Sequence, residues 1–152
     1  MKIRIVAVGR PRDKHVAAAI AVYEERAGRY WPLEVVEVRE ETTRDAEQAR
    51  AREGDRLLEQ AGAAGVVICD ERGATRTSVE FAEWMQRQRE LARDVAFVIG
   101  GAFGLDARVR AGALSDLSLA PWTLPHEMAR LVLAEQLYRA GTIVRREPYH
   151  KA

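Results

Sequence analysis

Residues 115–150 read SDLSLAPWTLPHEMARLVLAEQLYRAGTIVRREPYH, and the order of signals in this stretch decides what kind of fold to expect. Leu117 to Leu119 has room only for a brief strand, because Ala120-Pro121 follows and a proline pushes its predecessor out of the helical region. Thr123 can then cap a helix over Pro125 to Ala140, whose first turn tolerates Pro125 because the missing N–H would have had no partner there. That helix is apolar around most of its circumference, with Met128, Leu131, Val132, Leu133, Leu137 and Tyr138, whereas a surface helix carries a single stripe. Two arrangements hide such a helix: burial between its own core and a second subunit, or a position wholly inside its own fold.

Upstream, the chain alternates strand and helix signals. Lys2 to Val8 is a β-branched run ended by Gly9-Arg10-Pro11, and a helical pattern from Asp13 to Tyr30 stops at Trp31-Pro32. Leu33 to Arg39 alternates as a strand. Glu41 to Ala61 is helical and highly charged, entered at Thr42 or Thr43, and offers apolar residues only at Leu57, Leu58 and Ala61, so a surface position is expected. Gly65 to Asp70 (GVVICD) and Asp94 to Ile99 (DVAFVI) are continuous apolar runs of the kind buried on both faces of a parallel sheet. Between them, Thr77-Ser78-Val79-Glu80 forms a capping box for a helix over Phe81 to Ala92. The alternation predicts a single α/β domain over residues 1–152, with a mainly parallel sheet covered by helices on both faces.

Composition narrows the function. The 152 residues hold one cysteine, Cys69, which excludes an internal disulfide framework and a multi-cysteine zinc site, and no metal is expected. No apolar run reaches the roughly 20 residues of a membrane span, and MKIRIVAVGR enters a strand directly rather than a cleavable signal, so no membrane association and a cytoplasmic location are expected. The net charge of +1 hides an uneven distribution. Residues 1–16 hold five basic residues against one acidic, residues 139–152 hold four against one, and the middle carries a net −6. If the two ends meet in space they make a positive face suited to phosphates; otherwise they are solvated termini.

Ligands of open α/β sheets collect at the carboxyl ends of strands. Three such ends stand out: Cys69-Asp70-Glu71-Arg72-Gly73, Ile99-Gly100-Gly101 and Leu119-Ala120-Pro121-Trp122-Thr123. Glycines there let a ligand approach the backbone closely. The G-G-x-x-G spacing at Gly100 is not a dinucleotide fingerprint, which disfavours a Rossmann oxidoreductase. Cys69 lies in an apolar strand without a histidine nearby in sequence and reads as a buried core thiol rather than a nucleophile. His126, near a helix start, fits either a base or a packed cap, and His15 reads as a surface residue. Asp70 and Glu71, adjacent in a strand, point to opposite faces and make a poor acid/base pair. The ending Tyr149-His150-Lys151, preceded by Arg145-Arg146, suits a tail docked over a pocket, although a free terminus often frays.

FVIGGAFGL (97–105), LSLAPWTLPHEMAR (117–130), EQLYRA (135–140) and PYHK (148–151), in this order, resemble the ribosomal RNA large subunit methyltransferase H family of the SPOUT class, and the resemblance runs over essentially the whole chain. It implies a C-terminal deep trefoil knot, a homodimer, S-adenosyl-L-methionine as cofactor, and methylation of N3 of a pseudouridine in helix 69 of 23S rRNA on the assembled ribosome. Cofactor-binding positions carried over are Cys69, Gly100, Leu119, Ala120, Pro121, Trp122, Thr123 and Leu124. Arg139, Tyr149 and His150 match substrate-side, catalytic positions, with Arg145, Arg146 and Lys151 as RNA-binding residues. Ala120-Pro121-Trp122 is bulkier than the family pattern, and Cys69 stands where leucine is expected. The alternative from another class is a non-catalytic ribosome-associated RNA-binding protein that keeps the fold; a hydrolase using Cys69 lacks a placed base.

Overall fold

A computed structural model describes residues 1–151. Its centre is one sheet of five parallel strands, β1 (Ile3–Val8), β2 (Leu33–Val38), β3 (Gly65–Cys69), β4 (Val95–Ile99) and β5 (Ser115–Leu117), in the order β2-β1-β4-β3-β5. The helices between them are α1 (Lys14–Gly28), α2 (Ala46–Ala61), α3 (Ser78–Glu90) and α4 (Ala107–Ala111), followed by α5 (His126–Val144) and a 3₁₀ turn at Pro148–His150. The α/β class and the parallel sheet agree with the sequence reading.

The side-chain period of two makes the sheet's two faces distinct. Ile3, Ile5, Ala7, Val67, Phe97 and Ile99 point to one face, where they meet Phe81 and Met85 of α3 and Leu133 and Leu137 of α5. Val6, Val8, Val66, Ile68, Ala96 and Val98 point to the other, against Leu57 and Ala61 of α2 and Val109 of α4. Every residue of β4 is buried, as expected of an inner strand covered on both faces. Crossings that step one way along the sheet use α1 and α3, and those that step back use α2 and α4, which keeps every parallel crossover of one hand.

Three local expectations change. The last strand is Ser115–Leu117, not Leu117–Leu119: Ser115 pairs with Val67, while the Ser118 N–H already turns to the Ala74 carbonyl at 2.9 Å. Thr123 does not cap α5. Pro125 is the N-cap and offers no side-chain bond, while the Thr123 hydroxyl donates to the Glu71 carboxylate. The charged helix α2 starts later, at an Asp45 cap that accepts from the Gln48 N–H at 3.1 Å; it lies on the surface, with Glu47, Gln48, Arg52, Asp55, Glu59 and Gln60 exposed, but its buried face is wider than Leu57, Leu58 and Ala61 promise and takes in Ala49, Glu53 and Gly54. Glu53 is 3% exposed; one carboxylate oxygen accepts the Glu41 N–H at 2.9 Å and the other has no partner.

Helix α5 lies beside α1 and α3 on the same face of the sheet, and no residue from His126 to Val144 is exposed. Leu133 and Leu137 are buried within the chain's own core, while Met128, Leu131, Val132 and Tyr138 stay half-buried. Arg130, 7% exposed, ties α5 to two neighbours: its Nε and Nη2 donate to Glu24 of α1 at 2.7 and 3.3 Å, and its Nη1 to Glu37 of β2 at 2.8 Å. At the far end α5 runs one turn beyond Ala140, because Gly141 leaves room for the Tyr30 ring; a Cβ there would meet Tyr30 Cδ1 at 2.7 Å. Among the described residues no helix is long and apolar enough to cross a membrane.

Candidate active site

The carboxyl ends of β3, β4 and β5 open into one cavity of about 670 Å³, the size of a small-molecule site. Cys69, Gly100, Leu119, Ala120, Trp122, Thr123 and Leu124 line it, so seven of the eight positions expected at the cofactor are brought together; Pro121 is exposed and does not line the cavity. Sequence reasoning gave no place in the pocket to Arg110 and Ala129, and His126, left between base and cap, lines the wall. The signal for Ala129 was available in the helical spacing, one turn beyond His126.

Short-range bonds hold the three loops. Gly73 packs directly on the Leu117 backbone, at 2.9 Å from where a Cβ would lie, and Thr75 bridges to Ser118, which seats the β3 loop against β5. Ser118 Oγ donates to the Ala120 carbonyl at 2.8 Å, and Thr123 is tied to Glu71. The backbone N–H groups of Leu119, Ala120, Trp122, Thr123 and Leu124 make no hydrogen bond to protein among the described residues. This row of free donors and carbonyls beside a glycine turn can recognise a heterocycle edge without any side chain.

Electrostatics separates the wall residues. Burial pushes the Cys69 thiol up to about 12, so it stays protonated and is no nucleophile at neutral pH. Burial alone would raise Asp70 as well, but the Arg72 N–H at 2.8 Å, the Arg72 guanidinium and an ion pair with Arg110 outweigh it and bring the carboxyl to about 2. Asp70 is thus a fixed anion that positions two arginines, while Glu71 turns to Thr123; both residues follow β3 rather than lie in it, so strand alternation does not separate them, and both line the cavity.

The residues expected on the substrate side form a second group elsewhere. Glu135 accepts from Arg139 Nε at 3.0 Å and from the Tyr149 hydroxyl at 3.0 Å, and the Arg139 guanidinium lies 4.9 Å from the Tyr149 ring centre. Tyr149 packs on Tyr138 with ring centres 4.5 Å apart. Burial first, then the Glu135 bond, raises the Tyr149 pKa and keeps it a phenol. Tyr30 is bonded to Glu147, with Arg145 over its ring at 4.6 Å, so the tail folds back on α1 and α5 rather than fraying. His150 is half-buried with an unpartnered Nδ1, and Arg145, Arg146 and Lys151 are exposed.

The two groups lie at opposite ends of α5. Glu127, in its first turn, accepts from the Arg12 and Asp13 N–H groups at 3.1 and 3.4 Å, which places the N-terminal basic loop at the cavity end. The tail docks at the other end, where Arg145 Nη2 donates to the Arg29 carbonyl at 3.3 Å. Ala129, on the cavity wall, and Arg139 are ten helical residues, about 15 Å, apart. Within one chain the Arg10–Lys14 loop and the basic tail therefore do not meet.

Residues 1–150 match the family described as Predicted SPOUT methyltransferase. A protein of Gemmatimonas aurantiaca named Ribosomal RNA large subunit methyltransferase H is 57% identical over 154 residues, covering 99% of this chain and 100% of that protein. Among solved structures, a probable methyltransferase from Bordetella pertussis superposes with a TM-score of 0.59 at 17% identity, over 91% of this chain and 95% of that one. The SpoU methyltransferase AviRb from Streptomyces viridochromogenes, solved with AdoMet, gives 0.50 at 14% identity over 96% and 59%. At such identities the structures speak for the fold alone.

Proposed function

Because this chain belongs to the SPOUT methyltransferases and, within them, to the ribosomal RNA large subunit methyltransferase H family, we propose that it methylates 23S rRNA of the assembled ribosome, using S-adenosyl-L-methionine. The observation that carries this reading is identity of 57% over nearly the full length of both chains. The finer target is N3 of a pseudouridine in helix 69. The chain acts as a single SPOUT domain in the cytoplasm, where its substrate is.

The cavity fits the cofactor in size and in donors. Leu119 to Leu124 would hold the adenine through backbone N–H and C=O groups, the Gly100 turn would let the ligand lie against the sheet end, and Cys69 would serve as a neutral apolar contact. The bound cofactor supplies a methyl group on a sulfonium, which needs in-line placement more than covalent help. The protein's task is then to hold the uracil edge and accept the N3 proton. His150, half-buried on the docked tail, is the proposed base or orienting group, Arg139 holds a carbonyl or phosphate, and Tyr149 as a phenol donates a hydrogen bond. Exposed Arg145, Arg146 and Lys151 supply sequence-independent attraction to phosphates.

The separation along α5 supports a homodimer on grounds other than the apolar helix. A second copy set antiparallel along α5 brings the Arg139–Tyr149–His150 group of one subunit to the cavity of the other and unites the Arg10–Lys14 loop with the basic tail. A C-terminal deep trefoil knot belongs to the same proposal; what supports it is membership of the SPOUT family, together with a chain that leaves edge strand β5, lines the cavity at the ends of β3 and β4, and returns as α5.

Calorimetric titration with S-adenosyl-L-methionine, followed by methyl transfer from labelled cofactor to ribosomes lacking the modification, tests the proposal. Binding and labelling of the large-subunit RNA are expected. A folded protein that binds no cofactor would favour the non-catalytic RNA-binding alternative, and full turnover by His150→Ala at saturating ribosome would remove His150 from its role.

A further inference from the structure

The three tryptophans are treated very differently by the fold. Trp31 is 1% exposed, donates Nε1–H to the Leu137 carbonyl at 2.8 Å and lies 4.0 Å from the Arg89 guanidinium. Trp84 stacks on Phe81 and meets Phe97 edge-on, with Arg76 over its ring. Trp122 has no such neighbours and is 79% exposed, although it stands on the loop that walls the cavity.

That exposure is not looseness of the loop. Pro121 fixes the backbone just before Trp122, the Thr123–Glu71 bond ties it just after, and Pro125 limits the next turn. A stiff loop that presents a bare indole loses little freedom when something stacks on it. The glycine turn carries a second exposed ring, Phe103, at 42% exposure, so aromatics stand on two of the three loops around the cavity. Cations stand beside both rings: Arg72, with a side chain 75% exposed, flanks the wall, and Arg50 donates to the Phe103 carbonyl at 3.4 Å, while the nearby carboxylates are engaged, Glu71 by Thr123 and Asp70 by Arg72 and Arg110. Exposed aromatic faces among arginines suit an unstacked nucleobase with its phosphates, since every base has a face to stack and a backbone to attract.

We infer that Trp122, assisted by Phe103, is a stacking platform for an unpaired base of the RNA substrate at the mouth of the cavity, while the backbone of the same loop serves the cofactor. This rests on the methyltransferase reading above and adds a specificity-determining pair to it.

The test compares wild type with Trp122→Ala, Trp122→Phe and Phe103→Ala, using calorimetry with S-adenosyl-L-methionine and steady-state methylation of unmodified ribosomes. Trp122→Ala should raise KM for the ribosome roughly tenfold or more, as loss of base stacking does. Its cofactor affinity should change far less than the ribosome KM, since the loop would hold adenine through its backbone, and Trp122→Phe should recover most of the loss. The slope of log KM against log salt should not change, because no phosphate contact is removed. Phe103→Ala should act in the same direction and more weakly. Weakened cofactor binding with an unchanged ribosome KM would overturn the inference by making the indole a cover for the cofactor. A shift to monomer on sedimentation of Trp122→Ala would overturn it by making the ring a subunit contact, and unchanged kinetics would overturn it outright. Failure of the wild type to methylate any ribosomal substrate would instead bring down the reading of the site itself, and this inference with it.

Discussion

Replacing Arg130 by alanine removes the single cation that Glu24 and Glu37 share. Loss of one partner from a buried ion pair generally costs about 3–5 kcal/mol, most of it the penalty of leaving charge buried and unpaired. Here the side chain of Arg130 is 9% exposed and that of Glu24 15%, but Glu37, at 34%, can recover water. The lower end is therefore expected, about 3 kcal/mol. For a chain of this length each kcal/mol moves the midpoint of thermal unfolding by roughly 2–4 °C, so a fall of about 6–12 °C follows. Urea unfolding followed by circular dichroism at one fixed protein concentration measures the loss, fixed because any self-association adds its own stability. A double-mutant cycle with Glu24→Gln isolates the pair, and the triple variant Arg130→Met, Glu24→Gln, Glu37→Gln should regain much of the stability. A loss below about 1 kcal/mol for Arg130→Ala, or a coupling energy near zero, would refute the claim that this bridge anchors α5.

Gly141→Ala puts a methyl group into the Tyr30 ring, so it should cost about 1–3 kcal/mol and loosen the Tyr30–Glu147 contact; faster proteolysis of the tail would report the second effect. Burial raises the Glu53 pKa, so its contribution to stability is present below the ordinary carboxylate range and is lost as pH climbs through the raised value. Glu53→Gln should flatten that decline and be the more stable form in urea at pH 8, and a wild-type advantage there would contradict it. Cys69 should resist thiol reagents at pH 8 in the folded protein, and Cys69→Ala should keep methyl transfer within a few-fold of wild type.

Much of the fold was readable because its strands announce themselves. Val95–Ile99 is apolar without interruption since helices cover both faces of it, and the Thr77–Glu80 capping box forms as its spacing requires. The cavity was legible for a related reason: glycines and prolines after strands mark where the backbone stays open. Burial of charge was not legible. Glu53 and Arg130 look like surface residues in sequence, and only the approach of distant elements, the glycine turn in one case and two carboxylates in the other, encloses them. Thr123 misled because a hydroxyl before a helix has more than one partner available, and Glu71, far away in sequence, is the one it takes. Nor could the sequence tell that the Arg10–Lys14 loop and the basic tail sit at opposite ends of one helix.

The position of α5 has a consequence for how the protein is made. Synthesis runs from the amino end, so β1 to β4 and α1 to α3 leave the ribosomal tunnel before the helix that must lie over Phe97 and Ile99. Until α5 arrives, that flank of the sheet is an open apolar surface, and the contacts that close it join residues far apart in sequence, which slows closure. The nascent chain is thus at its most adhesive shortly before completion, when its destination as proposed, the ribosome, is also the particle that holds it.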